Sequence, residues 1–248
     1  MFEELASTEH LAVVSDFDGT LAGHDTDIYA VKPHPRSIAA LERLAQLPRT
    51  TVAALSGRHL DGLKRVFPLR EPVLLGGSHG AESSWEPAQL DDAMRAHLAT
   101  KEAELREIAQ RYGAGLEIKP FQRVLHVREL EQRDPEAARQ AYEEAAALDA
   151  GGFPKTVGKS IVEYSATADT KGTWIEKLRA KVGATAVVFL GDDTTDEDGF
   201  AVLHQPQDLG VKVGEGDTLA QHRVADLDGV ADFLEELARA RADFLAAH

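Results

Sequence analysis

Residues 11–20 read LAVVSDFDGT, an apolar run followed at once by two carboxylates and a glycine. The run is typical of a buried strand, and the glycine is typical of a turn at its end. Asp16 and Asp18 therefore stand two residues apart where a strand ends, and they repel each other unless a cation lies between them or one is protonated. Oxygen ligands in this arrangement indicate a hard metal ion, Mg²⁺ above all. The alternative is an ordinary strand end, because Asp and Gly are common in turns.

The same pattern recurs along the chain. Three more short apolar runs occur, at residues 51–55, 73–75 and 186–190. The segments that follow them are rich in small, polar and charged residues; they are 56–58 (SGR), 76–82 (GGSHGAE) and 191–198 (GDDTTDED). Apolar runs of this length, separated by helical patterns, predict central strands of a parallel sheet. Because ligands bind outside the carboxyl ends of such strands, we expect these segments to form one site.

Composition narrows the class of protein. The chain has 248 residues, of which 27 are Lys or Arg and 42 are Asp or Glu, for a net charge of −15. This charge disfavours nucleic acid and anionic membranes as partners. The absence of cysteine excludes disulfides, thiolate catalysis and thiolate zinc sites. The N-terminus is acidic and lacks the basic residues of a signal peptide, and no apolar run is long enough to span a membrane. These features predict a cytoplasmic protein. No obligate protein partner is evident from the sequence.

The helical and strand patterns predict two domains. After residue 85 the alternation of strands and helices stops, and it returns at residue 168. Residues 86–167 instead predict a small α+β domain, with helices at 91–112 and 135–148 and strands near 115–119, 123–128, 153–157 and 160–164. We therefore predict an α/β, Rossmann-like core made of residues 1–85 and 168–248, with an inserted cap.

Two sets of motifs carry a resemblance to a known family. Asp16-Phe17-Asp18-Gly19-Thr20, Ser56-Gly57-Arg58, Lys171-Gly172 and Gly191-Asp192-Asp193 resemble, in this order, the four motifs of the haloacid dehalogenase superfamily of phosphohydrolases. Five further segments are similar to those of trehalose-6-phosphate phosphatases; they are 77–82 (GSHGAE), 117–119 (EIK), 126–128 (HVR), 158–163 (GKSIVE) and 191–198 (GDDTTDED).

The resemblance implies an Mg²⁺-dependent hydrolase of trehalose biosynthesis that acts through an aspartyl phosphate. Asp16 would be the nucleophile and Asp18 the general acid and base. The implied metal ligands are Asp16, Asp18 (through its backbone carbonyl) and Asp192, with Asp193 and Asp196 orienting ligands or waters. The implied phosphate-binding residues are Ser56, Gly57, Arg58 and Lys171, and Lys171 also belongs to the catalytic set. Arg58 has a second possible role, which is to brace the acidic cluster.

The cap would then recognise the sugar of a small-molecule sugar phosphate. The residues implied are His79, Glu117, Lys119, Arg128, Lys159 and Glu163. Spacing supports part of this set, because residues two or four apart on a strand share one face. The pairs with this spacing are Glu117 with Lys119, His126 with Arg128, and Lys159 with Glu163. The alternative is a solvated sheet face, the more common position of Lys and Glu, and His79 has the alternative of completing its turn.

Other functions stay open. Residues 76–80 (GGSHG) fit the nucleophile elbow of α/β hydrolases, but the helix that must follow is absent from the pattern. Another sugar phosphate or a glycosyl-glycerate phosphate is possible on the same scaffold. A sugar-phosphate sensor without turnover is a further alternative, disfavoured by the intact Asp16, Asp18, Lys171 and Asp192.

Overall fold

The chain divides into two compact units. The computed structural model describes residues 1–87 and 89–248. The first unit combines Met1–Pro87 with Asp169–His248, and the second is Ala88–Ala168. The second unit is therefore a continuous insertion between two parts of the first. Within the described ranges, none of the helices combines the length and apolar composition that a membrane span requires.

The first unit is built on a mostly parallel sheet. Its strands in the described residues are β1 (Leu11–Ser15), β2 (Thr50–Leu55), β3 (Leu74–Gly77), β4 (Glu82–Ser83), β9 (Ala186–Gly191), β10 (Leu209–Val213) and β11 (His222–Val224). They lie in the order β11-β10-β9-β1-β2-β3-β4, and β4 alone among them runs antiparallel to its neighbour. The strand that carries the opening motif, β1, is central, and it pairs in parallel with β2 on one side and β9 on the other.

Helices cover both faces of this sheet. They are α1 (Phe2–Ala6), α2 (Pro35–Ala45), α3 (Leu60–Val66), α7 (Lys171–Val182), α8 (Glu197–Ala201) and α9 (Leu227–Ala247). Val13 packs in the apolar cluster that contains Leu41 of α2 and Leu234 of α9. Val14 packs in the opposite cluster, with Trp174 of α7. Because successive side chains alternate between faces, β1 is buried from both sides, and the predicted Rossmann-like α/β class is confirmed.

The second unit is an α+β sandwich of two layers. Its elements are α4 (Asp92–Tyr112), β5 (Gly115–Ile118), β6 (Gln122–His126), α5 (Arg128–Arg133), α6 (Pro135–Ala147), β7 (Lys155–Val157) and β8 (Ile161–Ser165). The strands form an antiparallel sheet in the order β5-β6-β8-β7. Leu125 and Val162 pair across β6 and β8 and pack in one cluster with Leu105 of α4. The neighbouring pair, Val124 and Glu163, therefore faces the other way.

The strand positions predicted for three candidate residues are wrong. Strand β5 ends at Ile118, so Lys119 lies one residue beyond it, although its Nζ still lies 3.7 Å from Glu117 Oε2. Strand β6 ends at His126, and Arg128 is the first residue of α5. Lys159 lies in the turn between β7 and β8 and not on a strand. Arg128 therefore does not share a strand face with His126, and Lys159 does not share one with Glu163. The two-residue spacing of charged residues in the sequence continues past the ends of the strands.

Candidate active site

The ends of three neighbouring strands bring three predicted site residues of the first unit together. Asp16 directly follows β1, Ser56 follows β2, and Asp192 follows β9. Backbone hydrogen bonds continue the sheet past these ends, since the amide of Asp16 donates to the carbonyl of Leu190 at 2.8 Å. The side chains of Asp16 and Ser56 are buried. The sequence prediction that these segments meet at one sheet edge is thus what the fold produces.

A buried lysine links two of the aspartates. Lys171 is the first residue of α7, and its Nζ donates to Asp16 Oδ1 and to Asp196 Oδ1, each at 2.6 Å. Asp196 Oδ2 accepts from the backbone amides of Asp192 and Asp193, at 3.0 and 2.9 Å. Both oxygens of Asp196 are therefore engaged. This carboxylate holds the loop after β9 against the lysine, which in turn fixes one oxygen of Asp16.

The electrostatics favour a further cation. Burial raises the pKa of Asp16, against the opposing effect of the Lys171 ammonium. Burial and the nearby Asp196 also raise the pKa of Asp192. Burial opposes the charge on Lys171, but Asp16 and Asp196 raise its pKa above the ordinary value. One ammonium faces several crowded carboxylates, so an added positive charge would stabilise their ionised forms.

The donor set fits a hard metal ion. Asp16, Asp192 and Asp196 each offer a carboxylate oxygen, and these oxygens lie within 4.8 Å of one another. Because Asp196 is already engaged by Lys171 and two amides, Asp16 and Asp192 are the side chains placed to ligate. A donor set made only of oxygens suits Mg²⁺.

Two small residues of the opening motif, Gly19 and Thr20, contact the carboxylate of Asp192 or allow its close approach. Gly19 has φ +87°, and a Cβ at this position would come within 2.1 Å of Asp192 Oδ2. Thr20 Oγ1 donates to Asp192 Oδ1 at 3.2 Å. The glycine therefore serves both the turn and the close approach of the two loops. Thr20 was not predicted as a site residue, and its only signal in the sequence is its place in the opening motif.

Asp18 forms a two-pronged ion pair with Arg58. Nε and Nη2 of Arg58 donate to the two oxygens of Asp18 at 2.6 Å each, and Nη1 donates to the carbonyl of Ile28. Both side chains are largely buried. Of the two roles left open by the sequence, bracing the acidic cluster is the one this geometry favours for Arg58.

The segment after β3 supports the loop that contains Ser56. The amides of Ser78 and His79 donate to the carbonyls of Arg58 and Ser56, at 2.7 and 3.0 Å. The ring of His79 packs on the residue between them, because a Cβ on Gly57 would lie 2.5 Å from His79 Cε1. His79, predicted as a substrate ligand, thus also has a structural contact with the loop that contains Ser56.

Glu82 completes this support. Its Oε2 accepts from Ser78 Oγ at 2.6 Å and from the amide of Leu60, at the start of α3, at 3.0 Å. Ser78 and His79 both have positive φ, 50° and 55°, a conformation that costs energy in residues other than glycine. The hydrogen bonds to Glu82 and to the backbone of residues 56–58 offset this conformational cost.

One charged residue near this site, Lys212, was not predicted from the sequence. Lys212 of β10 is buried, and its Nζ donates to the backbone carbonyl of Asp192. Its signal in the sequence is a single lysine in the otherwise apolar strand LGVKV. A lysine in that position is equally typical of a strand end that reaches solvent, so the pattern alone does not reveal the contact.

In the second unit, charged residues cluster on the sheet face opposite the helices. His126 Nε2 lies 3.0 Å from Glu117 Oε2, and Lys119 Nζ lies 3.7 Å from the same oxygen. The hydrogen bond with His126 lowers the pKa of Glu117. Burial instead raises the pKa of Glu163, which shares this face with Glu117 through Val124.

A cavity of about 570 Å³ opens on this unit. Its lining residues are Gly115, Leu116, Glu117, His126, Arg128, Glu129, Ser160 and Ile161. Two predicted sugar ligands, Glu117 and Arg128, thus meet there despite the wrong strand position of Arg128. Lys119, Lys159 and Glu163 are not among its lining residues.

Known structures identify the fold first. The chain is similar to the C-terminal domain of C. albicans trehalose-6-phosphate phosphatase, with a TM-score of 0.76 and 20% identity, over 96% of this chain and 95% of that one. It is also similar to a haloacid dehalogenase-like hydrolase from Bacteroides thetaiotaomicron, with a TM-score of 0.65 and 15% identity, over 92% of this chain and 99% of that one. The fold is that of the haloacid dehalogenase superfamily.

Sequence comparison then narrows the class. The family model described as trehalose-phosphatase matches residues 14–228. The trehalose-6-phosphate phosphatase of Escherichia coli is 32% identical over 97% of this chain and 92% of its own length. The trehalose-phosphate phosphatase of Mycolicibacterium paratuberculosis is 37% identical over 92% of this chain. The chain belongs to the trehalose-phosphatase family, which confirms the family and the class of enzyme predicted from the motifs.

Some relatives are longer. The match covers 62% of the M. paratuberculosis protein. It covers 33% of a bifunctional trehalose-6-phosphate synthase/phosphatase of Thermoproteus tenax, which is 31% identical over 94% of this chain. The family assignment therefore applies to the region that all three relatives share with this chain.

Proposed function

We propose that the chain hydrolyses trehalose 6-phosphate to trehalose and phosphate through an aspartyl-phosphate intermediate, with Mg²⁺ as cofactor. The observation that carries the proposal is the position of Asp16, buried at the end of the central strand with one oxygen fixed by Lys171 at 2.6 Å. The other oxygen is left to attack phosphorus. Trehalose 6-phosphate as substrate is supported by the family and by the activity for which the E. coli relative is named.

The reaction consists of two displacements. An oxygen of Asp16 forms a bond to phosphorus while the bond from phosphorus to the sugar oxygen breaks, and Asp18 gives its proton to the departing oxygen. Water then attacks phosphorus, Asp18 takes a proton from it, and the bond to Asp16 breaks. Asp16, Asp192 and the backbone carbonyl of Asp18 would hold Mg²⁺, which would neutralise charge between the carboxylates and the phosphate.

The remaining residues of the first unit position the phosphoryl group. Lys171, Ser56 and the backbone at Gly57 are proposed to bind its oxygens, and Asp193 and Asp196 to orient the loop that carries Asp192. The ion pair with Arg58 suits the ionised form of Asp18, so we infer that this pair opens, or moves, when Asp18 acts as an acid.

The second unit is proposed to recognise the sugar. Glu117, Lys119, Arg128, Lys159 and Glu163 are the candidates, and His79 of the first unit is a further one. The cavity lined by Glu117 and Arg128 supports this role, because sugar hydroxyls are bound by charged and planar polar groups in concave sites. A face that is merely solvated gives no reason for Glu163 to be partly buried with a raised pKa.

A panel of phosphate esters tests the function. Phosphate release is measured with trehalose 6-phosphate, glucose 6-phosphate, a glycosyl-glycerate phosphate and an aryl phosphate, each with Mg²⁺ and with EDTA. We expect the highest kcat/KM with trehalose 6-phosphate and no turnover in EDTA, restored by Mg²⁺. A preference for another ester would replace the substrate, turnover in EDTA would exclude the metal's role, and binding without any turnover would favour a sensor.

Two predictions made from composition stay predictions: a cytoplasmic location and the absence of nucleic acid and membrane partners. The proposed reaction requires only a small-molecule sugar phosphate as partner.

A further inference from the structure

Lys212 is an unusual residue in its strand. Leu209, Val211 and Val213 of β10 pack in the cluster on one face of the sheet, so Lys212 points to the other face. It is 5% exposed. A buried ammonium is costly unless it meets good acceptors, so a lysine at this depth calls for a reason.

The acceptor is the peptide group of a proposed metal ligand. Lys212 pairs in register with Gly191 on β9, and its Nζ donates to the carbonyl of Asp192, the next residue. The amide of the same residue donates to Asp196 Oδ2 at 3.0 Å. Asp192 is therefore held at both ends of its backbone, by a carboxylate at its N–H and by an ammonium at its C=O.

We propose that Lys212 is a positioning residue for the metal site: it fixes the backbone of Asp192 so that its carboxylate faces Asp16. Lys212 acts through Asp192 and contacts neither the phosphate nor the reacting oxygens. The inference rests on the metal site of the proposed function, but not on the identity of the sugar.

A simple effect of charge predicts the opposite change in cation affinity, so the proposal can be tested. Removing a positive charge near a cation site strengthens cation binding, because repulsion is lost. Removing a group that orders a ligand weakens it, and partners behind a ligand typically change metal affinity by about 10- to 100-fold. The direction of the change therefore separates a positioning role from a simple effect of charge.

The experiment measures Mn²⁺ binding to the full chain by the electron paramagnetic resonance signal of free Mn²⁺, with Mg²⁺ as competitor. For Lys212→Met we expect Mn²⁺ affinity to fall about 10- to 100-fold. The Mg²⁺ concentration for half-maximal turnover should rise in parallel, with kcat largely recovered at saturating Mg²⁺. Lys212→Arg, which keeps a charged donor, should restore part of the affinity.

Lys181→Met is the matched control, since this exposed lysine of α7 lies over the Trp85 ring and not at the aspartates. It should leave Mn²⁺ affinity unchanged. If Lys212→Met does not fold, as judged by its melting curve, Lys212→Gln is measured by the same criterion.

Unchanged or tighter Mn²⁺ binding in a folded Lys212 variant would overturn the proposal, and so would a wild-type chain that binds no Mn²⁺. A wild-type chain that binds Mn²⁺ but does not hydrolyse trehalose 6-phosphate would refute the substrate alone. The positioning role would then still be judged by the affinity of the variants.

Discussion

The two units place their charges in opposite ways. In the first unit the side chains of Lys171 and Asp196 are 2% and 0% exposed and bound to each other. In the second, the side chains of Glu117 and His126 are 45% and 43% exposed, although they too are in contact. Buried charges locked by short bonds suit a site whose geometry must not change during chemistry. Half-exposed charges can exchange water for sugar hydroxyls at lower cost. The comparison therefore supports the proposed division, in which the first unit carries out the reaction and the second selects the sugar.

The largest effect is expected from Asp16→Asn. The variant removes the nucleophile, so turnover should fall by at least about 1,000-fold on every phosphate ester, whatever its sugar. Single-turnover phosphate release measures the loss, and the melting curve checks the fold. Asp61→Asn, at an exposed residue of α3, is the control and should keep full activity. Substantial residual turnover in Asp16→Asn would exclude the aspartyl phosphate.

A smaller and selective effect is expected from Glu117→Ala. A lost hydrogen bond to a charged group is worth roughly 1.5–3 kcal/mol, so kcat/KM on trehalose 6-phosphate should fall about 10- to 100-fold. An aryl phosphate has no sugar to recognise, and its hydrolysis should change little. Glu107→Ala, an exposed residue of α4, is the control. Equal losses on both esters would break the division between reactivity and selectivity.

Arg58→Lys tests the ion pair within the first unit. Lysine keeps the charge but not the two-pronged contact, so Asp18 should be held less well. We expect about a tenfold loss on trehalose 6-phosphate, whose leaving group needs an acid, and little loss on an aryl phosphate, which needs none. Arg43→Lys on α2 is the control. A similar loss on both substrates would show instead that Arg58 binds the phosphate.

The smallest effect is on stability and comes from Glu163→Gln. Burial raises the pKa of Glu163 above its ordinary 4.5, so the folded unit binds a proton more tightly than the unfolded chain does. The carboxylate therefore lowers stability as pH rises through the raised pKa, and the glutamine variant escapes this loss. Its Tm should exceed that of the wild type at pH 7.5, with the difference vanishing below pH 4.5.

Glu107→Gln should show no such dependence. A Glu163→Gln variant that is less stable than the wild type at neutral pH would mean that the carboxylate holds the fold, and the selectivity assigned to this face would lose one of its supports.

The sequence predicted the first site far better than the second. Asp16 and Asp192 follow apolar strands, and neighbouring parallel strands bring their ends together whatever the intervening chain does. In the second unit the prediction relied on alternation alone. Arg128 and Lys159 keep the two-residue period of β6 and β8 but lie beyond the ends of those strands, in a helix and a turn. Alternation shows which face a residue takes, but not where a strand stops.

The sequence also left partners unresolved. The sequence left two roles open for Arg58, because a motif places a guanidinium near a site but does not show which oxygen atom it binds. The contact with Asp18 depends on two loops that follow separate strands. Lys212 was missed because the acceptor of its ammonium is a backbone carbonyl, and every residue has one.

The first unit is made of two segments that the insertion separates in the sequence, and this affects the order in which its sheet can form during synthesis. Strand β1 lies between β2 and β9, yet β9 leaves the ribosome only after the whole of the second unit. The second unit is one continuous stretch of chain, so its contacts form early, whereas the pairing of Val13 with Val188 must wait for distant residues. A chain truncated after residue 168 would therefore contain the whole insertion but only part of the sheet, with one side of β1 still open to other chains.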